Sequence, residues 1–415
     1  MFNNLSLILR KNIVYLIMGM AFASLLLNFV SSSWSRVFFF LTSYLSIVSI
    51  ALQWKIKPPK NLLLITSALL VIGLSKYLWF CFEYIGNPDY NKYNSYFNTG
   101  QRLLLGGVIS YALFSMVDTI SAKTRKTIDI VLYSTFIIAT MIGLYQILND
   151  KGRIDFYLGF ATDSAYMYST LSICTIVLLQ KDKRATPRIL MLTALILSLV
   201  VIFKTGTRNI LICYPLILLI ALSAWKKYNF RIILFCTFLF VAAFTTGYDQ
   251  YIKPKVTATI KEIKNYEDNH GNAPGSFTSR LAMWEVGYAA FKHSPLSMSL
   301  EQREAFFNKN VKETHQNRAA LGFVKIHLHN EIIETASLQG LPGIISLIIT
   351  YFLLLIACLR TKNNSLLGIT LTIITVGFSD VIFISREQTI FFSIILVLMA
   401  LRFYEPKLKN SNAPG

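Results

Sequence analysis

Long apolar runs separated by short polar turns make up most of this chain, and the pattern breaks once. Twelve runs approach the roughly 20 apolar residues that a helix needs to cross a hydrocarbon core. They lie at 13–30, 36–53, 61–82, 102–118, 127–147, 156–180, 187–203, 209–225, 230–248, 341–359, 365–384 and 388–403. Between the ninth and tenth lies one hydrophilic stretch of 82 residues, Asp249 to Asn330. Within it Val256, Ile260 and Ile263 recur at helical spacing. A second helix is expected from Thr278 or Ser279, with Leu281, Trp284, Tyr288 and Phe291 as its apolar stripe and Pro295 as its end. A third short helix is expected from Ile326 to Leu338, broken by Gly340, Pro342 and Gly343. These amphipathic pieces are expected to lie on the membrane–water boundary.

Composition agrees with a membrane protein: 54% of residues are hydrophobic and mean hydropathy is +0.51. The expected organisation is nine spans over 1–248, a loop over 249–340, three spans over 341–403 and a tail over 404–415. No cleavable leader is expected, because the first apolar run follows Arg10 and Lys11 and lacks a small-residue cleavage site. Lysine and arginine set the orientation. With the N-terminus in the cytoplasm, the inner turns carry twenty basic residues and the short outer turns eight. The expected topology is therefore N-in and C-in, with the long loop outside. Half of the forty basic residues are thus a topology signal, and the net charge of +19 does not lead to an expected nucleic-acid partner. The inner turns are too short for a nucleotide-binding domain. The five cysteines all fall in apolar runs and read as core residues.

The chemistry concentrates in the loop, which holds all five histidines. His327-Leu328-His329-Asn330-Glu331 is the densest polar cluster. A histidine with an ordinary pKa of about 6.5 suits proton transfer at neutral pH. On a regular helix His327, Glu331 and Glu334 would share a face, so Glu331 would orient His327. The HxH spacing also raises zinc, but two ligands with no third at matching spacing do not make a site, so no metal is expected. Arg208, with Lys204, sits at an outer turn and reads as a phosphate clamp or as a snorkelling end residue. Arg280 lies in the first turn of its helix, where a cation opposes the dipole unless an anion binds beside it. Asp380, Arg386 and Glu387 cluster at the last outer turn. There a pair between Asp380 and Arg386, or contact with substrate, is expected.

One motif gives these residues a common reading. His329-Asn330, nine residues, Gly340, two residues and Gly343 match the H-N-x9-G-x-x-G pattern of the O-antigen ligase and polymerase superfamily. The stretches 205–211, 279–296, 327–343 and 378–383 resemble those of enterobacterial-type O-antigen ligases. The resemblance spans the whole chain. It implies an all-α integral membrane protein of the GT-C type, with about twelve transmembrane helices and one large periplasmic helical loop, in the bacterial inner membrane. It implies a glycosyltransferase that moves O-antigen from undecaprenyl pyrophosphate to lipid A–core, without metal or cofactor. By motif position His329 takes the catalytic role, against the helical-face preference for His327, and Arg208 and Arg280 become the essential arginines. His327, Asn330, Glu331, Lys204, Arg386 and Asp380 follow as weaker substrate contacts. An O-antigen polymerase and a protein O-oligosaccharyltransferase are the enzyme alternatives. A lipid-linked oligosaccharide flippase is the non-enzyme alternative, disfavoured because the first-half spans carry few charges beyond Lys76 and Asp163.

Overall fold

The computed structural model describes residues 2–52, 55–86, 93–149, 152–180, 185–225, 253–273 and 275–404, with Leu234, Thr237, Phe238, Val241, Thr245 and Asp249 besides. Among these residues the chain is helical, with no strand. The helices are α1 (Phe2–Leu27), α2 (Ser32–Leu52), α3 (Lys60–Tyr84), α4 (Asn94–Ser115), α5 (Ala122–Leu148), α6 (Ala161–Gln180), α7 (Ala185–Thr205) and α8 (Arg208–Ser223). The loop contributes α9 (Lys253–Asn269), α10 (Ser276–His293) and α11 (Leu300–Thr314). It is followed by α12 (Glu331–Thr361), α13 (Asn364–Gly377) and α14 (Arg386–Arg402). Eleven of the twelve expected runs coincide with helices; the run at 230–248 lies outside the described residues apart from the few named, as does the tail beyond Tyr404. Among the described residues five helices are long and apolar enough to cross a membrane, as in an all-helical integral membrane protein.

Contacts at the helix ends show how the helices alternate. At one end the close of α3 meets the loop, where Tyr84 donates to Glu301; the start of α4 meets that of α12, where Tyr96 donates to Glu334; and the start of α6 meets the turn after α13, where Tyr166 donates to Asp380. At the other end Arg402 of α14 forks onto Asp129 of α5, and Asn364 at the start of α13 reaches the Ala221 and Ala224 carbonyls at the close of α8. One continuous apolar core fills the bundle. The loop has its own small core around Met283, Val286, Met298, Phe307, Val324 and Leu328. A collar of Trp79, Phe80, Tyr84, Tyr93 and Tyr96 receives Leu300 and Leu338 and joins loop to bundle.

Four expectations of local structure are corrected. The third loop helix does not start at Ile326: residues 327–330 are non-helical, and α12 begins at Glu331 and continues to Thr361. The glycine-proline break is a kink inside that helix, at Gly340 (φ 59°). A side chain at Gly340 would strike the carbonyls of Pro295 and Leu296, so only glycine fits. Second, α10 buries Ala282, Met283, Val286, Gly287 and Ala290, while Tyr288 of the expected stripe is half exposed. Small residues face inward because a Cβ at Gly287 would touch Ile333 and Leu328. Third, α11 was not anticipated; a capping box of Ser299 and Gln302 starts it. Fourth, α13 stops at Gly377, so Asp380 lies in an irregular turn and not in a helical span.

Candidate functional site

The two motif histidines meet because their segment is non-helical. In an extended stretch residues i and i+2 share a side. Leu328 turns into the loop core, and its backbone is pinned at both groups: its N–H donates to Glu334 Oε2 (2.9 Å) and its carbonyl accepts from Trp284 Nε1 (3.1 Å). His327 and His329 therefore emerge together on the other side, their ring centroids 4.3 Å apart. His329 holds a left-handed backbone (φ 48°), a conformation that non-glycine residues adopt mainly where the surroundings enforce it.

Both rings converge on Asp380. His329 Nδ1 lies 3.1 Å and His327 Nε2 3.4 Å from Asp380 Oδ1. The Val381 N–H also donates to Oδ1 (2.9 Å), and the Tyr166 hydroxyl donates to Oδ2 (3.1 Å). With Nδ1 of His329 as the donor, its Nε2 is left with a free lone pair. The histidine side chains are 25% and 23% exposed, whereas Asp380 is buried. Burial alone would raise the Asp380 pKa, but the two imidazoles hold the carboxyl far below the usual range. Burial pulls His327 down, and the hydrogen bond and charge of Asp380 outweigh it, so its pKa is raised. Asp380 is thus ionised and His327 holds its proton to higher pH than an ordinary histidine.

The expected pair between Asp380 and Arg386 is not formed. Arg386 pairs with Glu387 (2.7 Å), and Asp380 is turned to the histidines. Nor does Glu331 orient His327. It is fully buried, bound to Lys76 Nζ (2.9 Å) and to the Phe383 N–H (3.0 Å), and has no side open to a ligand. Asn330 is engaged as the cap of α12, accepting from Ile332 and Ile333 N–H and donating to the Phe378 carbonyl (3.0 Å). It joins the helix start to the turn that carries Asp380. The expected lack of a third metal ligand is also corrected. Donor atoms of His327, His329 and Asp380 lie within 4.8 Å of one another, a grouping that sequence spacing hid because Asp380 comes from a distant turn.

The arginines surround this centre. Arg280 lies one turn into α10, within electrostatic reach of the Tyr166 hydroxyl that holds Asp380. The free N-terminus expected beside it is already met by a carboxylate, since Glu262 of α9 accepts from the Phe277 N–H. Arg208 is exposed at the start of α8 and donates to Thr259 of the same α9 (3.1 Å). Its neighbour Asn209 donates to Ser379, next to Asp380. Arg153 and Lys255 add positive charge beside Arg208, and Lys204 is exposed one turn away. A cleft of about 560 Å³ opens at the start of α10, lined by Asn272, Ser276, Ser279, Arg318 and Phe323. The Phe323 ring meets His329 edge-on at 6.0 Å.

Sequence reasoning missed Arg303 and the partner of Lys76, and it read Tyr166, with Asp163 and Tyr168, as an interfacial or substrate-contact residue where the structure has it donating to Asp380. Arg303 is fully buried, donating to Glu334 (2.9 Å), to Ser337 and to the Val324 carbonyl. A lone lysine in an apolar span was the one available signal for Lys76.

Comparison with known proteins agrees with this picture. Residues 193–348 match the family model described as O-antigen ligase. The chain is 30% identical over 393 residues to an O-antigen ligase of Escherichia coli (strain K12), covering 92% of this chain and 91% of that protein. It is also 28% identical over 162 residues to a Haemophilus influenzae protein described as uncharacterized, covering 38% of this chain and 40% of that protein.

Proposed function

Because this chain belongs to the O-antigen ligase family, we propose that it is a glycosyltransferase of lipopolysaccharide assembly in the inner membrane. Its donor is O-antigen on undecaprenyl pyrophosphate and its acceptor a sugar of lipid A–core. The carrying observation is the imidazole of His329, its Nδ1 held by Asp380 and its ring edge-on to Phe323 of the cleft. An acceptor hydroxyl attacks the anomeric carbon, its proton passes to His329 Nε2, and the bond from carbon to the pyrophosphate oxygen breaks. Direct displacement inverts that carbon. Arg208 and Arg280 stabilise the charge that develops on the leaving pyrophosphate, which is usually the largest catalytic contribution. Pyrophosphate leaves readily, so neither ATP nor metal is required. The loop faces the periplasm, both termini face the cytoplasm, and the fold is a GT-C arrangement of about twelve spans.

The test is glycan transfer by purified protein with EDTA present, comparing wild type with His329→Ala. Activity that survives EDTA and disappears in the variant supports the base role. Loss of activity in EDTA supports a second reading, in which His327, His329 and Asp380 hold a metal ion. A lengthened lipid-linked chain in place of product on lipid A–core would identify a polymerase.

A further inference from the structure

A second group of arginines gathers at the loop end, on helices other than those that carry Arg208. Arg36 lies near the start of α2, Arg102 in α4 and Arg386 at the start of α14, and the three are charged neighbours of one another through Arg102. Arg102 is only 8% exposed, and its Nε has no hydrogen-bond partner among the described residues. A buried cation without an anion is unfavourable, so such a residue persists only where something completes it. Among the described residues the acid beside it is Glu387, and that carboxylate is already paired with Arg386. Nearby Asp163 is taken by the Ser385 hydroxyl. Three guanidiniums outnumber the carboxylates of Glu387 and Asp163, so the group keeps net positive charge. A phosphate monoester carries about two negative charges at neutral pH and accepts from several guanidiniums at once.

The depth of the group indicates the kind of ligand. Trp34, two residues before Arg36, is 59% exposed, and tryptophan at a helix end marks the membrane–water interface. A phosphate bound there would sit at headgroup level, on a lipid. Ser385, next to Arg386, adjoins Asp163 and the turn of Asp380, so the group flanks the histidine centre. Two cationic groups on separate helices suit a reaction between two phosphate-bearing lipids.

We infer that Arg36, Arg102 and Arg386 form a binding site for a phosphate of the acceptor glycolipid, while Arg208 and Arg280 serve the donor pyrophosphate. This rests on the ligase reading above. Full-length protein in phosphatidylcholine vesicles, with and without phosphatidylglycerol, would be assayed with lipid A–core and with the same acceptor stripped of its lipid phosphates. Arg36→Gln and Arg102→Gln should each raise the KM for the acceptor about tenfold and leave the donor KM unmoved. Removing the acceptor phosphates should produce the same rise in wild type and no further rise in Arg36→Gln. That variant alters a partly exposed residue, so the test stands even where Arg102→Gln fails to assemble. A rise in donor KM instead, an unchanged acceptor KM, or a defect that follows phosphatidylglycerol content and ignores acceptor phosphorylation would overturn the site. Native mass spectrometry of the two acceptors separates the premises. Preferential binding of the phosphorylated lipid without any transfer refutes the ligase reading and leaves the phosphate site standing.

Discussion

Three carboxylates converge on the start of α12, and they have opposite fates. Asp380 faces two quarter-exposed histidines. Glu331 and Glu334 are sealed, each with a cation that is itself fully buried: Lys76 and Arg303. Glu334 also takes the Tyr96 hydroxyl and the Leu328 N–H, so its acceptor sites are filled from bundle and loop together. The residue types are nearly the same, yet one carboxylate faces partly exposed imidazoles and the other two are closed off in ion pairs. Access, more than charge, separates chemistry from scaffold here.

The sharpest way to break that contrast is to remove Asp380. Asp380→Asn should lower kcat by roughly 10²–10⁴, the contribution of a well-placed acid–base group, and lower the thermal midpoint through the lost contact with His327. Near-normal turnover with intact insertion would move the base role elsewhere. Glu334→Ala should act chiefly on stability. Leaving Arg303 buried without its partner should cost about 3–5 kcal/mol of stability, read as a drop in thermal midpoint. Replacing both partners, with Glu334→Leu and Arg303→Met, should recover most of that stability, because an apolar pair can substitute for a sealed ion pair, while turnover falls through the lost Leu328 anchor. A double variant as unstable as Glu334→Ala would contradict the scaffold role.

Arg280→Lys keeps the charge and loses the planar fork, so transfer should fall by about 10–100-fold, less than in Arg280→Ala. Normal activity in the lysine variant would rule out bidentate clamping. A smaller effect concerns pH. His327 has a raised pKa, so its stabilising contact with Asp380 is complete below the ordinary histidine value and fades as pH rises through the raised one. The lowered pKa of Asp380 keeps its own contribution intact above the ordinary carboxylate value, and it is lost only in strong acid. Thermal midpoints should therefore hold through mildly acidic pH and decline above the raised His327 value, and His327→Asn should flatten that decline. Smallest of all, Tyr166→Phe removes one hydrogen bond to Asp380 and should cost about 0.5–1.5 kcal/mol in transition-state stabilisation, measured as kcat/KM.

Much was legible in the residues themselves. Hydropathy located eleven helices, because a span must be apolar whatever it packs against. The loop stood out for the opposite reason, and the H-N-x9-G-x-x-G spacing singled out His329, one of the two rings that face Asp380. The face argument failed because residues 327–330 are held non-helical by Leu328 and by the Asn330 cap. Only the tertiary structure could bring Asp380, some fifty residues later, onto both histidines. It also decided which charges are sealed, since Lys76 and Glu331 are 255 positions apart and nothing local couples them. Sequence patterns carry what each segment needs from solvent or lipid; partners across the chain depend on packing, and packing determined which of these polar groups stayed within reach of a substrate.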